Sequence, residues 1–434
     1  MGRVCGCLCA LGILVAAQGE SAAQDASAKV NVLWRKVVST HGSNQGTAYT
    51  MSNRIITAEG RVFVAWLDHV AEIVIQTYDL KAQAWGEKVV LGQGTDNHCA
   101  PAITMDSAGY LYAMFGPHNA PFQFRRSQRP YDATAWGPIE RFGTNATYPS
   151  LVCGPDDTLH CAYRGGRGAP LRLIYHRRPQ GETWGEPREL VTAAVPGGYT
   201  QYTNSLAVST DNTLHLAFHI YDEHPAGGKA VGYLRSRDGG DTWESADGQR
   251  IKLPATPAAP CFVERGKTLD MRCSNLALDP NGRPWLVAWH MTPKPMSATL
   301  WHHDGHSWTA TELLPIVRTV YPEQEMAWMG TLTFDQSGRL YIATVIQRPP
   351  FSWGDPLQEV ILLTSDDRGR TFDVLAVSEP DPDMAHWFPS IERPFGPAPI
   401  GMPSFLYCHS RPRDRKTRIC EPGEILFARL GTRD

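Results

Sequence analysis

The sequence predicts an all-β protein, a seven-bladed β-propeller of four-stranded antiparallel blades with its ring closed by the N-terminal strand. Three observations predict it. A hairpin unit returns seven times, a third and a fourth strand follow most copies, and the segment before the first copy resembles a fourth strand that the last copy lacks.

Residues 1–28 read as an export signal with cleavage near 23–28. Arg3 gives the positive start, Cys5 to Ala17 form a short apolar run, and Ser21-Ala22-Ala23 and Ala26-Ser27-Ala28 offer small-residue cleavage sites. The run is too short to cross a bilayer and no later segment is long and apolar enough to do so, so the expected location is secreted or periplasmic. From 29 to 434 no low-complexity linker and no helix beyond a turn or two interrupts the pattern, which makes this stretch a single domain. A formal net charge of −3 provides no global field for nucleic acid or an anionic membrane. Any acidic ligand must be met by a local patch, and a monomer is expected.

The repeat is clearest at Ala100–Ala113, where an apolar strand, an Asp-Ser-Ala-Gly turn and a second apolar strand follow one another. It returns at Ser52–Trp66, Tyr148–Tyr163, Asn204–Phe218, Ser274–Trp289, Gly330–Thr344 and, more loosely, Pro389–Tyr407. Third strands precede an aromatic that leads into a fourth, as in Ile73–Tyr78 before Trp85 and Thr299–His302 before Trp308. The last copy has a third strand, Glu424–Leu430, but no fourth; Val32–Val38 matches the fourth strand Ala84–Val90 and is expected to fill that place, removing two exposed edges.

Seven cysteines follow the signal. Closeness in sequence suggests Cys153–Cys161, Cys261–Cys273 and Cys408–Cys420 as disulfides, with Cys99 left as a buried thiol.

A site in such a ring draws on the ends of strands from several blades. Asp96-Asn97-His98 leads into the second repeat and Gly116-Pro117-His118-Asn119 leaves it, so one hairpin brings two histidines to similar height. Either alone reads most simply as a structural residue bonding loop carbonyls; together they can hold a carboxylate, move protons or bind metal. Tyr163-Arg164-Gly165-Gly166 ends the equivalent strand of the next blade, and Tyr175-His176-Arg177-Arg178 adds cations on its third strand. Alternation from His215 through His219 puts Tyr221 at the same strand exit one blade on. Three consecutive blades thus carry a proton-transfer residue at one position.

Two turns, Ser236-Arg237-Asp238-Gly239-Gly240-Asp241-Thr242-Trp243 and Ser365-Asp366-Asp367-Arg368-Gly369-Arg370-Thr371-Phe372, match the Asp-box of sialidase-type propellers, a motif of architecture. The Asp-Asn-His-x-x-Pro, Gly-x-His-Asn and Tyr-Arg-Gly-Gly segments resemble the BNR-repeat propellers that include ulvan lyases. The resemblance implies a secreted polysaccharide lyase cleaving uronic-acid-containing, often sulfated, polysaccharide by β-elimination. It implies that His98 and His118 are the family's histidine pair, Tyr163 its catalytic tyrosine and Tyr221 a second site tyrosine. It further implies that a third-strand arginine neutralises the uronate, with spacing favouring Arg178 over its neighbour Arg177; Arg164 and Asn119, beside Tyr163 and His118 in sequence, are expected as further substrate contacts.

Neutralising the carboxylate acidifies the C5 proton, a Tyr or His removes it, and a neighbour protonates O4. Tyr163 is assigned the acid/base role with His118 as partner and His98 on the carboxylate, the two histidine roles being exchangeable. No cofactor is required for this chemistry, and no His or Cys spacing specifies a structural metal. A sialidase-like hydrolase would need a carboxylate pair, or a Tyr nucleophile with an arginine cluster, that the sequence does not assemble. A non-catalytic carbohydrate binder would instead use Trp328, Trp353 and Trp387 as stacking platforms.

Overall fold

The computed structural model describes residues 1–2, 29–49, 51–116, 118–166, 171–193, 204–220, 230–266, 270–350, 352–412, 414, 416 and 420–432. The expected export signal, from residue 3 to 28, and Tyr221 lie outside the described residues. What is described is all-β, with one six-residue helix, Leu313–Arg318.

Antiparallel strands follow one another in chain order. Asn204–Val208, Leu214–Ile220, Ala230–Ser236 and Phe262–Arg265 form one four-stranded sheet; Glu325–Phe334, Leu340–Gln347, Glu359–Ser365 and Asp373–Ala376 form another. In a seven-stranded sheet the long strand Glu140–Cys153 is shared. Its first half pairs with Ala120–Arg126 and its second with Leu159–Gly165. Burial decides the order within each unit. Second strands such as Leu159–Gly165, Leu214–Ile220 and Leu340–Gln347 are buried along their whole length, whereas fourth strands such as Asp373–Ala376 are largely open. A strand covered on both faces can be apolar throughout, which is why these segments read as near-continuous hydrophobic runs.

The N-terminal strand behaves as expected. Val30–Gly42 pairs antiparallel with Gly423–Thr432, placing Val32 opposite Leu430 and Val37 opposite Leu426. Both Asp-box turns are built alike. Asp238 accepts from the Thr242 amide (2.8 Å) and hydroxyl (2.7 Å), and Asp367 from those of Thr371 (2.9 and 2.6 Å). Trp243 is buried behind the first turn.

Side chains stitch the first strands of different units together. Ser150 donates to the Met51 carbonyl (2.9 Å) and accepts from the Leu206 amide (2.8 Å). Asn275 exchanges two bonds with Leu332, and Asn53 two with Arg393. First strands also carry a recurrent bulge, between Thr147 and Ser150, Ala327 and Thr331, and Trp387 and Ser390. At two of them an aromatic precedes Pro-Ser with left-handed φ: Tyr148 (59°) and Phe388 (54°).

The expected disulfides are not formed; the seven cysteines are thiols. Cys161 faces Leu151 across the ladder while Cys153 faces Leu159, so the two are out of register. Cys261 precedes the strand Phe262–Arg265, and Cys273 closes the strand Met271–Cys273 of the next sheet. Cys408 lies against Thr47, Cys420 beside Asn97. Cys99 is the buried thiol expected, its ionisation pushed up by burial.

Candidate active site

Two loops make the site by closing on each other. Residues 94–99 form an Asx turn in which Asp96 accepts the His98 amide (2.8 Å). The exit loop is tied to it where the His118 amide donates to Thr95 Oγ1 (3.0 Å). Glycines permit the approach: a Cβ on Gly94 would sit 2.6 Å from that of Cys99, and one on Gly116 would meet Gly94 Cα at 3.0 Å.

The result is two imidazoles on one carboxylate. His98 Nδ1 is 3.1 Å from Asp96 Oδ1, and His118 Nδ1 is 2.8 Å from Asp96 Oδ2. The rings stack at 4.3 Å. Burial opposes the charge on Asp96, but hydrogen bonds from His118 and His98 win and hold its carboxyl well below the usual range. An anionic Asp96 is an acceptor only, so each Nδ1 carries a proton. Each Nε2 then presents a lone pair, uncommitted among the described residues, on side chains 26% and 25% exposed.

Tyr49 stacks on His98 at 5.4 Å and touches Tyr148 at 4.7 Å, forming a buried aromatic floor. The Arg164 guanidinium lies 4.7 Å over the Tyr148 ring and donates to Asn119 Oδ1 (3.1 Å). Thr147 Oγ1 also donates to that oxygen (3.3 Å). With its oxygen so engaged, exposed Asn119 has its amide NH2 as its remaining side-chain hydrogen-bonding group, a donor. Asn119 and Tyr49 hold left-handed φ of 67° and 63°, and Tyr148 shares that conformation. Such strain often collects at working sites.

The structure therefore brings together His98, His118, Asn119 and Arg164. Tyr163 is set apart, 2% exposed, with its ring against Phe122 and Phe142. Its phenol is 3.0 Å from His176 Nε2, and His176 Nδ1 donates to the Gly185 carbonyl (2.7 Å). That tautomer makes Tyr163 the donor, and burial raises its pKa. Alternation explains the split: Tyr163 and Arg164 are adjacent on one strand and point to opposite sides. Arg177 and Arg178 are also set apart, by register. Gly165, next to Arg164, faces Arg172, whereas Arg178 faces Leu159 six residues away, roughly 20 Å along the strand. Arg178 bonds Glu140 and Arg177 reaches Asp241.

Sequence reasoning passed over Tyr49 and Tyr148. The repeated aromatic-Pro-Ser of Tyr148-Pro149-Ser150 and Phe388-Pro389-Ser390 was the available signal for Tyr148. Trp328 and Trp387 are buried and Trp353 packs between them, at 6.0 and 5.5 Å, so these tryptophans serve packing.

Among curated proteins the chain is similar to an ulvan lyase of Nonlabens ulvanivorans, 20% identical over 57% of this chain and 63% of the relative's length. It thus spans about three fifths of that protein. Among solved structures it is similar to a PL25 ulvan lyase, at TM-score 0.68 and 16% identity over 90% of this chain and 94% of the other. It is also similar to a PL25 ulvan lyase bound to -[GlcA(1-4)Rha3S]-, at TM-score 0.65 and 16% identity over 90% and 95% of the two chains. These likenesses support the all-β architecture. The profile of the BNR repeat-containing family matches residues 61–315, and with more than half of its length covered the chain belongs to that family.

Proposed function

We propose that the protein is a polysaccharide lyase that cleaves an anionic, uronic-acid-containing polysaccharide of the sulfated, ulvan type by β-elimination. The observation that carries this reading is the stacked His98–His118 pair, both Nδ1 atoms held by Asp96 and both Nε2 atoms left for a ligand. In this reading one ring serves as base and the other as acid, side by side over the shared Asp96 carboxylate.

In the proposed step the Asn119 amide donates to the uronate carboxylate, backed by the Arg164 charge. One Nε2 takes the C5 proton, the electron pair forms the C4–C5 double bond, and the C4–O4 bond breaks. The other imidazolium gives its proton to the departing O4. The kinship with proteins named ulvan lyases, one solved with a glucuronate-rhamnose sulfate repeat, supports the substrate class.

The same reading treats residues 29–434 as one seven-bladed propeller, its ring closed by the Val30–Gly42 pairing with Gly423–Thr432 and by the Asn53–Arg393 bonds. It takes residues 1–28 as a cleaved export signal and the enzyme as a secreted or periplasmic monomer.

The test is ultraviolet absorbance of unsaturated uronate during incubation with a panel of uronic-acid polysaccharides, ulvan included. Absorbance should rise, and His118→Ala should slow it by roughly 100-fold or more with the fold intact. New reducing ends without absorbance would replace the lyase reading with hydrolysis.

A further inference from the structure

We infer that Asp96, His98 and His118 also form a three-ligand site for a borderline divalent cation, Zn2+ above all, and that filling it arrests the enzyme. One carboxylate oxygen of Asp96 and one ring nitrogen of each histidine lie within 4.8 Å of one another. The two carboxylate-to-imidazole distances, 3.1 and 2.8 Å, are now spanned by protons. Ligands on a tetrahedral ion stand about 3.4 Å apart when each is about 2.1 Å from it, so side-chain rotations that draw in three ligand atoms already within 4.8 Å of one another admit the ion. Two imidazoles and one carboxylate favour Zn2+ over Mg2+ or Ca2+, which prefer all-oxygen shells. The partly exposed rings leave a fourth position for water.

The consequence follows from the tautomer. A cation on the two Nδ1 atoms requires the other tautomer, so each neutral ring moves its single proton from Nδ1 to Nε2, and any second ring proton leaves to solvent. The lone pair that would take the C5 proton is gone, although the Asn119 amide, backed by buried Arg164, still receives substrate. Occupancy should therefore lower kcat and leave KM nearly unchanged. The binding half of this inference stands alone; the inhibition half rests on the lyase reading.

The experiment uses the purified full-length protein stripped with a chelator. Titration with Co2+, followed by visible absorption, should give one equivalent of a low-coordinate ion, displaced by Zn2+. Calorimetry with Zn2+ should return the same stoichiometry. His118→Ala and, separately, Asp96→Ala should each weaken binding at least 10-fold, and circular dichroism checks that both are folded. Saturating Zn2+ should cut kcat at least 10-fold, and chelator should restore it. The inference is overturned if no equivalent binds, if binding survives both substitutions, or if the stripped enzyme needs the cation for turnover. Should no polysaccharide yield unsaturated uronate, the lyase reading fails while the Co2+ titration still decides the site.

Discussion

Two populations of histidine occupy neighbouring parts of this molecule, and they differ in partner rather than in residue type. His160 and His215 sit at the same point of consecutive second strands, each with Nδ1 against a third-strand phenol: Tyr175 at 2.7 Å and Tyr233 at 2.6 Å. Tyr175 in turn donates to the Gly239 carbonyl of an Asp-box turn, so these pairs brace the sheets. Burial pulls His160 down to about 4 and His215 to about 3. His176 with Tyr163 is a third such pair, and burial lowers its pKa too. His98 and His118 share a carboxylate instead and keep an open edge. A phenol can accept or give a hydrogen bond without charge, so it suits a histidine that must stay neutral. A carboxylate stabilises imidazolium, which a proton-transfer residue needs.

The most severe way to break the contrast is Asp96→Asn, which keeps the shape but removes the anion. Turnover should fall about 10- to 100-fold, as for other partners that orient a histidine, with the fold retained by circular dichroism and Tm somewhat lowered by loss of the bonded anion. An unaltered kcat would remove the carboxylate from the argument. A smaller effect should appear in stability against pH. The buried His160 and His215 have folded values below the unfolded value of about 6.5, so the unfolded chain takes up protons first as pH falls. Their contribution is intact above about pH 6.5 and is lost as pH drops toward about 4 and then about 3. Tm measured by calorimetry should decline through that window; a flat Tm would mean these histidines are not held neutral. The smallest effect is expected from Tyr163→Phe. It removes one buried hydrogen bond, about 1 kcal/mol, and should leave kcat near that of the parent. Abolished turnover with unchanged Tm would instead put the phenol in the chemistry and erase the distinction.

The sequence was most legible where structure is periodic. Alternation and turn residues disclosed the hairpins, the Asp-box spelled out its own hydrogen bonds, and likeness between Val32–Val38 and Ala84–Val90 anticipated the terminal pairing. Spacing also found the histidine pair, because a single short hairpin joins its two loops. Legibility ended where position depends on exceptions to period. Tyr148 reaches the site through a bulge and a left-handed φ, neither visible in an alternating pattern. Arg177 and Arg178 were assigned to the site because the strand could be located from sequence but not its register, and antiparallel pairing turns that into a full strand length. The cysteine pairs failed for a related reason, since closeness along the chain does not bring two thiols onto one face.

The pairing of the terminal strands also has a history in time. Gly42 and its partner Gly423 are 381 residues apart. At ribosomal rates the earlier strand waits roughly 20 to 80 s before its partner exists. Throughout that interval the N-terminal strand carries an edge that its C-terminal partner has yet to cover, open to chaperones and to aggregation, and the pairing belongs to the moments after synthesis.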